Sequence, residues 1–310
     1  MSSKKLGRST FLECMAWCGT GVIYSLTARG MVGRALADDS PDAMPSDGPT
    51  FVQISDTHVG YNGDANHDVL KTFEAAIDKI NALPAKPAFV MHTGDLTHLS
   101  KADQFGTVRD MLSSIKTDVF YAVPGEHDVI DDKGAQFFKL FGAVNAATAS
   151  RPWYSFDAAG VHALGLTNVI DITAGGLLGR DQLEWARADL RKQPSDTPIV
   201  IFAHIPLYAV YPDWGWTTDD FAELLTMLRR FDSVTVLNGH IHQVLSKVDG
   251  NVKFFTAAST AFPQPKPGSE PKPHPLVVPA GELSGHLGIR TVTIVPGSHA
   301  IAVADESLGS

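Results

Sequence analysis

Short apolar segments that end in polar residues recur along this chain, and stretches with helical spacing separate them. Within residues 70–80 and 221–228, large apolar side chains recur every three or four positions, as on one face of an α-helix. Apolar strands that alternate with such helices are typical of an α/β fold whose sheets are buried on both faces. The predicted strands comprise residues 51–55, 88–93, 119–123, 161–166, 199–203 and 234–238.

The C-terminal part of the chain shows a different pattern. Residues 252–257, 288–295 and 299–303 are predicted strands with little helix between them. Residues 261–282 contain seven of the 19 prolines, a composition that predicts a long irregular loop. We therefore predict one domain over residues 50–304, which includes this proline-rich loop.

The composition is that of an ordinary globular protein. The 310 residues are 44% hydrophobic and 19% charged, which excludes disordered, collagen-like and coiled-coil chains. The formal net charge of −9 argues against broad electrostatic binding to long nucleic acids or to anionic membranes. A small molecule fits better as the partner of such a chain.

Residues 1–37 predict an export signal. Lys4, Lys5 and Arg8 form a positive start, an apolar stretch follows over residues 15–28, and residues 35–37 form a small-x-small cleavage site. The segment that begins at Arg8 is similar to a twin-arginine motif with serine at the second arginine, so the export route stays open. An uncleaved N-terminal anchor is the alternative, although the apolar stretch is short for a bilayer.

Cleavage after residue 37 would change the chemistry of the chain. Residues 38–49 would remain as a flexible leader, and the counts would fall from 25 to 20 basic and from 34 to 33 acidic residues, a net charge of −13. Cys14 and Cys18 would leave with the signal, so a disulfide or a thiolate ligand is excluded in the mature chain. We predict an exported, periplasmic protein with no stable membrane span.

Potential metal ligands follow the predicted strands. Loops at the carboxyl ends of strands in an α/β sheet converge on one crevice. Carboxylates and imidazoles without sulfur favour Zn, Fe, Mn or Ni over calcium. In an extended segment, Asp-x-His or His-x-His places both side chains on one side, which suits shared binding of one ion. One carboxylate between two histidine-bearing halves further suggests two bridged metals. The candidate residues are Asp56, His58, Asp95, Glu126, His127, Asp128, His204, His240 and His242.

This ordered series of motifs resembles the calcineurin-like metallophosphoesterase superfamily over about residues 51–242. The resemblance implies a four-layer α/β/β/α sandwich with two metal ions of the Fe, Zn or Mn class. It also implies hydrolysis of a phosphate mono- or diester of a small molecule or nucleotide by attack of a metal-bridging hydroxide. No organic cofactor is implied.

The resemblance also implies a role for each motif residue. One metal would be bound by Asp56, His58 and His242, and the other by His204 and His240. Asp95 would bridge the two metals. His127 would stabilise the transition state or protonate the leaving oxygen, and Asp128 would orient His127.

Glu126 departs from the family pattern, which has asparagine at this position. The substitution gives the site three carboxylates, so with two divalent ions its charge falls from about +2 to about +1. Three interpretations stay open: a neutral substitution, an altered metal preference such as a ferric–divalent pair, or a loss of phosphatase activity. The alternative function is a non-hydrolytic metal-binding protein on the same scaffold.

Two further histidines lie beside these motifs. His92 falls inside an apolar strand, which predicts a hydrogen-bonded core residue. His98 follows the Gly-Asp motif closely enough to line the cleft, so we expect it either near the ligands or near the substrate.

Overall fold

The computed structural model describes residues 48–141, 152–172, 175–295 and 300–309, together with the backbone of two earlier strands. Those strands, β1 (Val22–Thr27) and β2 (Gly30–Ala35), form an antiparallel hairpin within a compact unit over residues 1–44. The rest of the predicted export segment, with Cys14, Cys18 and the cleavage point, lies outside the described residues, as does most of the predicted leader.

A second compact unit, residues 45–310, contains two mixed β-sheets. The five-stranded sheet has the order β13-β12-β3-β4-β5, in which β3, β4 and β5 are parallel and β12 is antiparallel to both of its neighbours. Its strands are β3 (Thr50–Ile54), β4 (Val90–His92), β5 (Phe120–Ala122), β12 (Gly288–Ile294) and β13 (Ile301–Ser307).

The six-stranded sheet has the order β10-β11-β9-β8-β7-β6. Its four central strands are parallel, and an antiparallel strand closes each edge. Its strands are β6 (Tyr154–Ala158), β7 (Val161–Gly165), β8 (Ile199–Phe202), β9 (Val234–Asn238), β10 (Leu245–Asp249) and β11 (Val252–Thr256).

Helices cover the outer face of each sheet. Apolar side chains of α1, α2 and α3 pack on the five-stranded sheet, those of α4 and α5 pack on the six-stranded sheet, and a third core lies between the sheets. None of the helices in the described residues is long and apolar enough to cross a membrane. The helices are α1 (Val69–Asn81), α2 (Ala102–Leu112), α3 (Ala135–Phe141), α4 (Arg180–Leu190), α5 (Phe221–Leu228) and α6 (Leu283–His286).

The predicted four-layer α/β/β/α sandwich is confirmed. β7, β8 and β9 are buried along their whole length, as their continuously apolar sequences predicted. The edge strands β6 and β10 were not predicted because their residues are mostly half-exposed and lack a continuous apolar run. In α1 the buried face begins at Val69, whereas Leu70, which fits the helical spacing, is 42% exposed.

A buried arginine connects the two sheets. Arg290 on β12 donates to Gln53 Oε1 on β3 at 3.1 Å and to the carbonyl oxygen of Thr256 on β11 at 2.9 Å. Asp305 on β13 forms an ion pair with its guanidinium at 2.7 Å. Gln53 in turn donates to the carbonyl oxygen of Asn238 at the end of β9. Although Arg290 Nε is buried without a hydrogen-bond partner, the other contacts of this polar network favour one packing arrangement of the core.

A second buried polar group ties β6 and β7 to α4. His162 on β7 has Nδ1 2.7 Å from Asp157 Oδ1 and Nε2 2.8 Å from Asp189 Oδ2. Burial lowers the pKa of His162, but its hydrogen bonds to Asp189 and Asp157 outweigh this and raise the pKa above its usual value. Since ionised carboxylates only accept hydrogen bonds, these two contacts favour the imidazolium form, which donates from both nitrogens.

Replacing this histidine should make stability depend less on pH. Because the pKa of folded His162 is raised, its stabilisation is complete below the unfolded pKa of about 6.5 and is lost as the pH rises through the folded pKa. We expect His162→Gln to lower the free energy of unfolding by about 1–3 kcal/mol near pH 5, and by less near pH 9. Urea denaturation of both proteins measures this difference. His286→Gln, at an exposed site, is the control, and equal deficits of His162→Gln at both pH values would contradict the assignment.

Candidate metal centre

Loops that follow parallel strands of both sheets meet at one crevice. β3, β4 and β5 carry ligand loops from one sheet, and β8 and β9 carry them from the other. This is the expected position for a site in an open α/β sheet, at the carboxyl ends of the strands. All seven predicted ligands contribute to groups whose ligand atoms lie within 4.8 Å of one another: Asp56, His58, Asp95, Glu126, His204, His240 and His242.

The first trio consists of Asp56, His58 and His242, which are all buried. His242 Nε2 lies 3.3 Å from Asp56 Oδ1 and 3.2 Å from His58 Nε2. Burial raises the pKa of Asp56, but the neighbouring His242 and His204 outweigh it and lower that pKa to about 2. One carboxylate and two imidazoles at these separations suit shared binding of a transition-metal ion.

The second trio consists of Glu126, His204 and His240. The two carboxylate oxygens of Glu126 face different histidines: Oε2 lies 2.9 Å from His204 Nε2, and Oε1 lies 2.9 Å from His240 Nδ1. Burial raises the pKa of Glu126, but His240 and His204 outweigh it and hold the pKa well below its usual value. Glu126 therefore occupies the place of a ligand, as an anion, and does not turn away from the centre.

Asp95 lies between the two trios. Its Oδ2 is 3.5 Å from His58 Nε2 in the first trio and 3.4 Å from His204 Nε2 in the second. Its other oxygen accepts a hydrogen bond from the backbone N–H of His127 at 2.9 Å. This position fits the bridging carboxylate that the sequence predicted.

Backbone carbonyl groups set the tautomers of two ligand histidines. Nδ1 of His242 lies 2.6 Å from the carbonyl oxygen of Phe262, and Nδ1 of His204 lies 2.7 Å from that of Thr93. A carbonyl oxygen only accepts, so each Nδ1 carries a proton, and Nε2 is the atom that faces the carboxylates and can bind an ion. Metal-binding histidines typically show this arrangement. Burial lowers the pKa of His204, but the carboxylates of Asp95 and Glu126 outweigh it and raise that pKa well above its usual value, so an ion that binds there would displace a proton from Nε2.

The converging lone pairs and carboxylates fit metal ions. Glu126 Oε2 and His204 Nε2 are buried and, although 2.9 Å apart, are not aligned as a hydrogen bond; Asp56 Oδ2 is also buried without a hydrogen-bond partner. Each such buried atom costs about 1–3 kcal/mol when nothing binds it. The residues present therefore fit one ion in each trio, with Asp95 able to contact both.

The backbone around the ligands is strained. Five of the eight non-glycine residues with positive φ in the described chain are predicted ligands, with φ between 42° and 70°. Side chains disfavour this left-handed region, and strain of this kind concentrates at functional sites. A Cβ on Gly125 would overlap with the carboxylate of Asp95, so only glycine allows this close approach of the loops. The five ligands are Asp56, His58, Asp95, His240 and His242.

The extended backbone predicted for Asp-x-His and His-x-His is not found. Asp56, His58, His240 and His242 have φ values between 42° and 70°, so both segments turn. Ile241 between the two histidines is fully buried and anchors its turn. Asp56 and His58 share one trio, whereas His240 and His242 belong to different trios, as the family resemblance implied.

The predicted role of Asp128 as the residue that orients His127 also needs correction. His127 is oriented by the carbonyl oxygen of His98, 2.7 Å from its Nδ1. The carboxylate of Asp128 instead accepts hydrogen bonds from the backbone N–H groups of Leu96, Thr97 and Gly125, and from the Thr97 hydroxyl. Asp128 therefore ties the loop after β4 to the loop after β5.

The geometry of His127 suits proton transfer. Its Nδ1 proton is bound to a carbonyl, so Nε2 is the atom that gains or loses a proton. Burial lowers the pKa of His127, but the carboxylates of Asp95 and Glu126 outweigh it and raise the pKa. Cations bound by the same carboxylates would offset part of this rise.

Three residues around the ligands differ in how well the sequence predicted them. His92 is fully buried and hydrogen-bonded, as predicted, and His98 lies beside His58 and His127. Phe262, at the start of the proline-rich loop, was missed although its ring packs on His58 and its carbonyl binds His242. A backbone acceptor leaves no signature in a sequence, because every residue has one.

Asp128→Asn should act mainly on stability. The amide has one acceptor oxygen where the carboxylate has two, so the variant loses loop-anchoring hydrogen bonds and about 1–3 kcal/mol of unfolding free energy. His127→Gln should change that energy by less than about 0.5 kcal/mol, because its ring is partly exposed. Chemical denaturation compares the two variants. Equal losses would contradict the anchoring role.

Comparison with known proteins agrees with this architecture. The family model described as calcineurin-like phosphoesterase matches residues 49–244. A probable glycerophosphodiester phosphodiesterase of Arcobacter nitrofigilis is 26% identical over 215 residues, which cover 67% of this chain and 77% of that protein. A probable cyclic nucleotide phosphodiesterase of Rhodopseudomonas palustris is 26% identical over 211 residues, 66% of this chain and 75% of that protein.

Solved structures share the fold. A dimetal phosphatase from Danio rerio superposes with a TM-score of 0.63 at 15% identity, covering 84% of this chain and 96% of that one. A purple acid phosphatase from yellow lupin gives a TM-score of 0.61 at 13% identity, covering 93% of this chain and 57% of that one. The chain thus belongs to the calcineurin-like phosphoesterases and is a metal-dependent hydrolase of phosphoesters.

Proposed function

We propose that this chain hydrolyses a phosphate ester of a small molecule or nucleotide at a centre of two metal ions of the Fe, Zn or Mn class, and that it prefers diesters. The observation that carries the proposal is the pair of ligand trios with Asp95 in contact with both. When bound, the two ions would act as Lewis acids on the phosphoryl oxygens and activate a water molecule.

Two side chains and one backbone carbonyl would do the rest of the chemistry. Asp95 would keep both trios in register, because its carboxylate contacts one histidine of each. His127 would donate a proton from Nε2 to the leaving oxygen, a role worth about 10²–10⁴-fold in rate. The hydrogen bond from its Nδ1–H to the His98 carbonyl would keep the ring orientation fixed while Nε2 gains and loses a proton.

The charge of the centre favours a diester. Asp56, Asp95 and Glu126 with two divalent ions sum to about +1, which balances a diester monoanion better than a monoester dianion. Among the described residues, none of the ion pairs made by lysine or arginine involves these three carboxylates. Two of the relatives compared above are named phosphodiesterases, which agrees with this preference.

Loss of the proton donor should slow hydrolysis without removing the metals. We expect His127→Ala to lower kcat on an alkyl phosphodiester by about 10²–10⁴-fold. The loss should be smaller on an aryl diester, whose phenolate leaves without protonation. Asp95→Asn should lower both activity and metal content, measured by elemental analysis. His286→Ala serves as the control, and full activity in His127→Ala and Asp95→Asn would exclude this mechanism.

Glu126 should control both substrate charge preference and metal identity. Glu126→Gln removes one negative charge at similar length, and Glu126→Asn restores the residue that the family pattern has. In protein loaded with Zn²⁺ alone, both should raise the ratio of monoester to diester turnover by about tenfold or more, since the charge change lies next to the phosphoryl group. In protein purified with its native metals, both variants should contain a smaller share of trivalent iron, because only the wild-type carboxylate offsets the extra positive charge. Unchanged ratios and metal content would identify Glu126 as a neutral substitution.

The alternative function, a non-hydrolytic metal-binding protein, keeps one supporting observation. Glu126 faces both histidines of the second trio at 2.9 Å and gives that trio a carboxylate in place of a neutral amide. Two tightly bound ions without turnover on a panel of mono- and diesters would favour this alternative. Recovery of turnover in Glu126→Asn would then assign the loss to this one side chain.

Export to the periplasm is also part of the proposal. The support is the sequence of residues 1–37, with Lys4, Lys5 and Arg8 before an apolar stretch and a small-x-small site. Cell fractionation and N-terminal sequencing test it, with Asp38 expected as the first residue of the mature protein. Retention of the intact N-terminus in the membrane fraction would support the anchor alternative instead.

A further inference from the structure

We infer that His98 is a positioning residue whose side chain fixes the tautomer of His58. The inference rests on the proposed metal centre. His98 Nδ1 lies 3.3 Å from His58 Nδ1, and its ring stacks on His127 with centroids 4.8 Å apart and an interplanar angle of 16°. Its backbone carbonyl accepts from His127 Nδ1 at 2.7 Å. One residue thus contacts a ligand and the proton donor.

The proton on His58 can be placed by elimination. His58 Nε2 faces His242 Nε2 at 3.2 Å and Asp95 Oδ2 at 3.5 Å, so Nε2 is the ligand atom. A neutral His58 then carries its proton on Nδ1, and the acceptor for that proton is the Nδ1 lone pair of His98. His98 consequently carries its own proton on Nε2.

This contact completes a pattern among the ligand histidines. The Phe262 carbonyl holds Nδ1 of His242, the Thr93 carbonyl holds Nδ1 of His204, and His98 does the same for His58. Two of these three acceptors are backbone atoms, which a substitution leaves in place. The third is a side chain, so the tautomer of His58 depends on which residue occupies position 98.

The surroundings of His98 hold its ring in place. Its backbone N–H donates to the carbonyl oxygen of Val59 at 2.9 Å, which joins the loop after β4 to the loop after β3. Tyr61 contacts the ring edge-on, with centroids 5.2 Å apart. The ring lies within contact distance of Tyr61, His58 and His127, so it has little freedom to turn away.

Two substitutions at position 98 test whether His58 needs a hydrogen-bond acceptor there or only a side chain that fills the space. His98→Asn places an amide oxygen close to the position of Nδ1, so it can still accept the proton of His58. His98→Leu has similar bulk to asparagine and no acceptor. Both variants keep the backbone carbonyl that binds His127, so a difference between them reports on the His58 contact alone.

Metal titration of the apo protein tests the inference without using activity. We expect the wild-type protein to bind two Zn²⁺ or Mn²⁺ ions. In His98→Leu the affinity of one ion should fall by about 10–100-fold while the other is unchanged, and His98→Asn should recover most of the loss. Competition with a chromophoric chelator gives both constants. Circular dichroism and thermal unfolding of the apo proteins confirm that each variant folds.

The outcomes distinguish this inference from the proposed function. A wild-type protein that binds fewer than two ions contradicts the proposed centre. A wild-type protein with two ions, together with an unchanged pair of constants in His98→Leu, overturns the role of His98. Equal losses at both ions in a folded His98→Leu, without recovery in His98→Asn, would also overturn it. His67→Leu, at an exposed histidine of the loop after β3, is the matched control and should bind as the wild type does.

Discussion

Buried negative charge in one crevice is the constraint on which the rest of this structure depends. Asp56 and Asp95 are almost fully buried, and Glu126 joins them with both oxygens directed at imidazoles. Carboxylates in such a place are stable only beside cations. Backbone carbonyls hold Nδ1 of His204 and His242, so Nε2 of each ring faces the carboxylates. The fold therefore builds a site whose charge bound metal ions can balance.

The scaffold that holds this site is correspondingly rigid. Ligands come from both sheets, so any shift of one sheet over the other would change the distances between the trios. Arg290 and Gln53 bind atoms of both sheets within the inter-sheet layer, which resists such a shift. Asp128 likewise joins two adjacent loops, because its carboxylate accepts hydrogen bonds from three backbone N–H groups. Asp128, which its motif places beside a catalytic histidine, is thus important through the backbone it holds.

Glu126 adds a negative charge at the position of a ligand. It faces His204 and His240 at 2.9 Å, so the centre holds three carboxylates. Under the proposed function, this charge would act on the oxidation state of the metal and on the charge of the preferred phosphoester. The residues that contact the ligand histidines also act in two ways. Phe262 and Thr93 accept hydrogen bonds through backbone atoms, whereas His98 accepts one through its side chain.

The sequence alone determined the α/β class with buried sheets and the set of polar residues that follows the strands, and the family resemblance implied the four layers. Continuously apolar strands such as β8 and β9 can be buried only between covering layers, and a chain that places Asp95 or His204 directly after such a strand brings them to one edge. The edge strands β6 and β10 escaped prediction because half-exposed strands need no apolar run. The family resemblance supplied the division of ligands between two metals, which spacing within the chain did not reveal.

Only the tertiary structure decided how these residues act together. It separated His240 from His242 through a left-handed turn, and it gave the orientation of His127 to a carbonyl and not to Asp128. It also brought Phe262 and His98 against the ligands from distant parts of the chain. Backbone conformation and backbone acceptors are nearly independent of side-chain identity, so they cannot be predicted from a sequence. Side-chain chemistry identifies the candidate ligands, and long-range packing decides which atom of each faces the site.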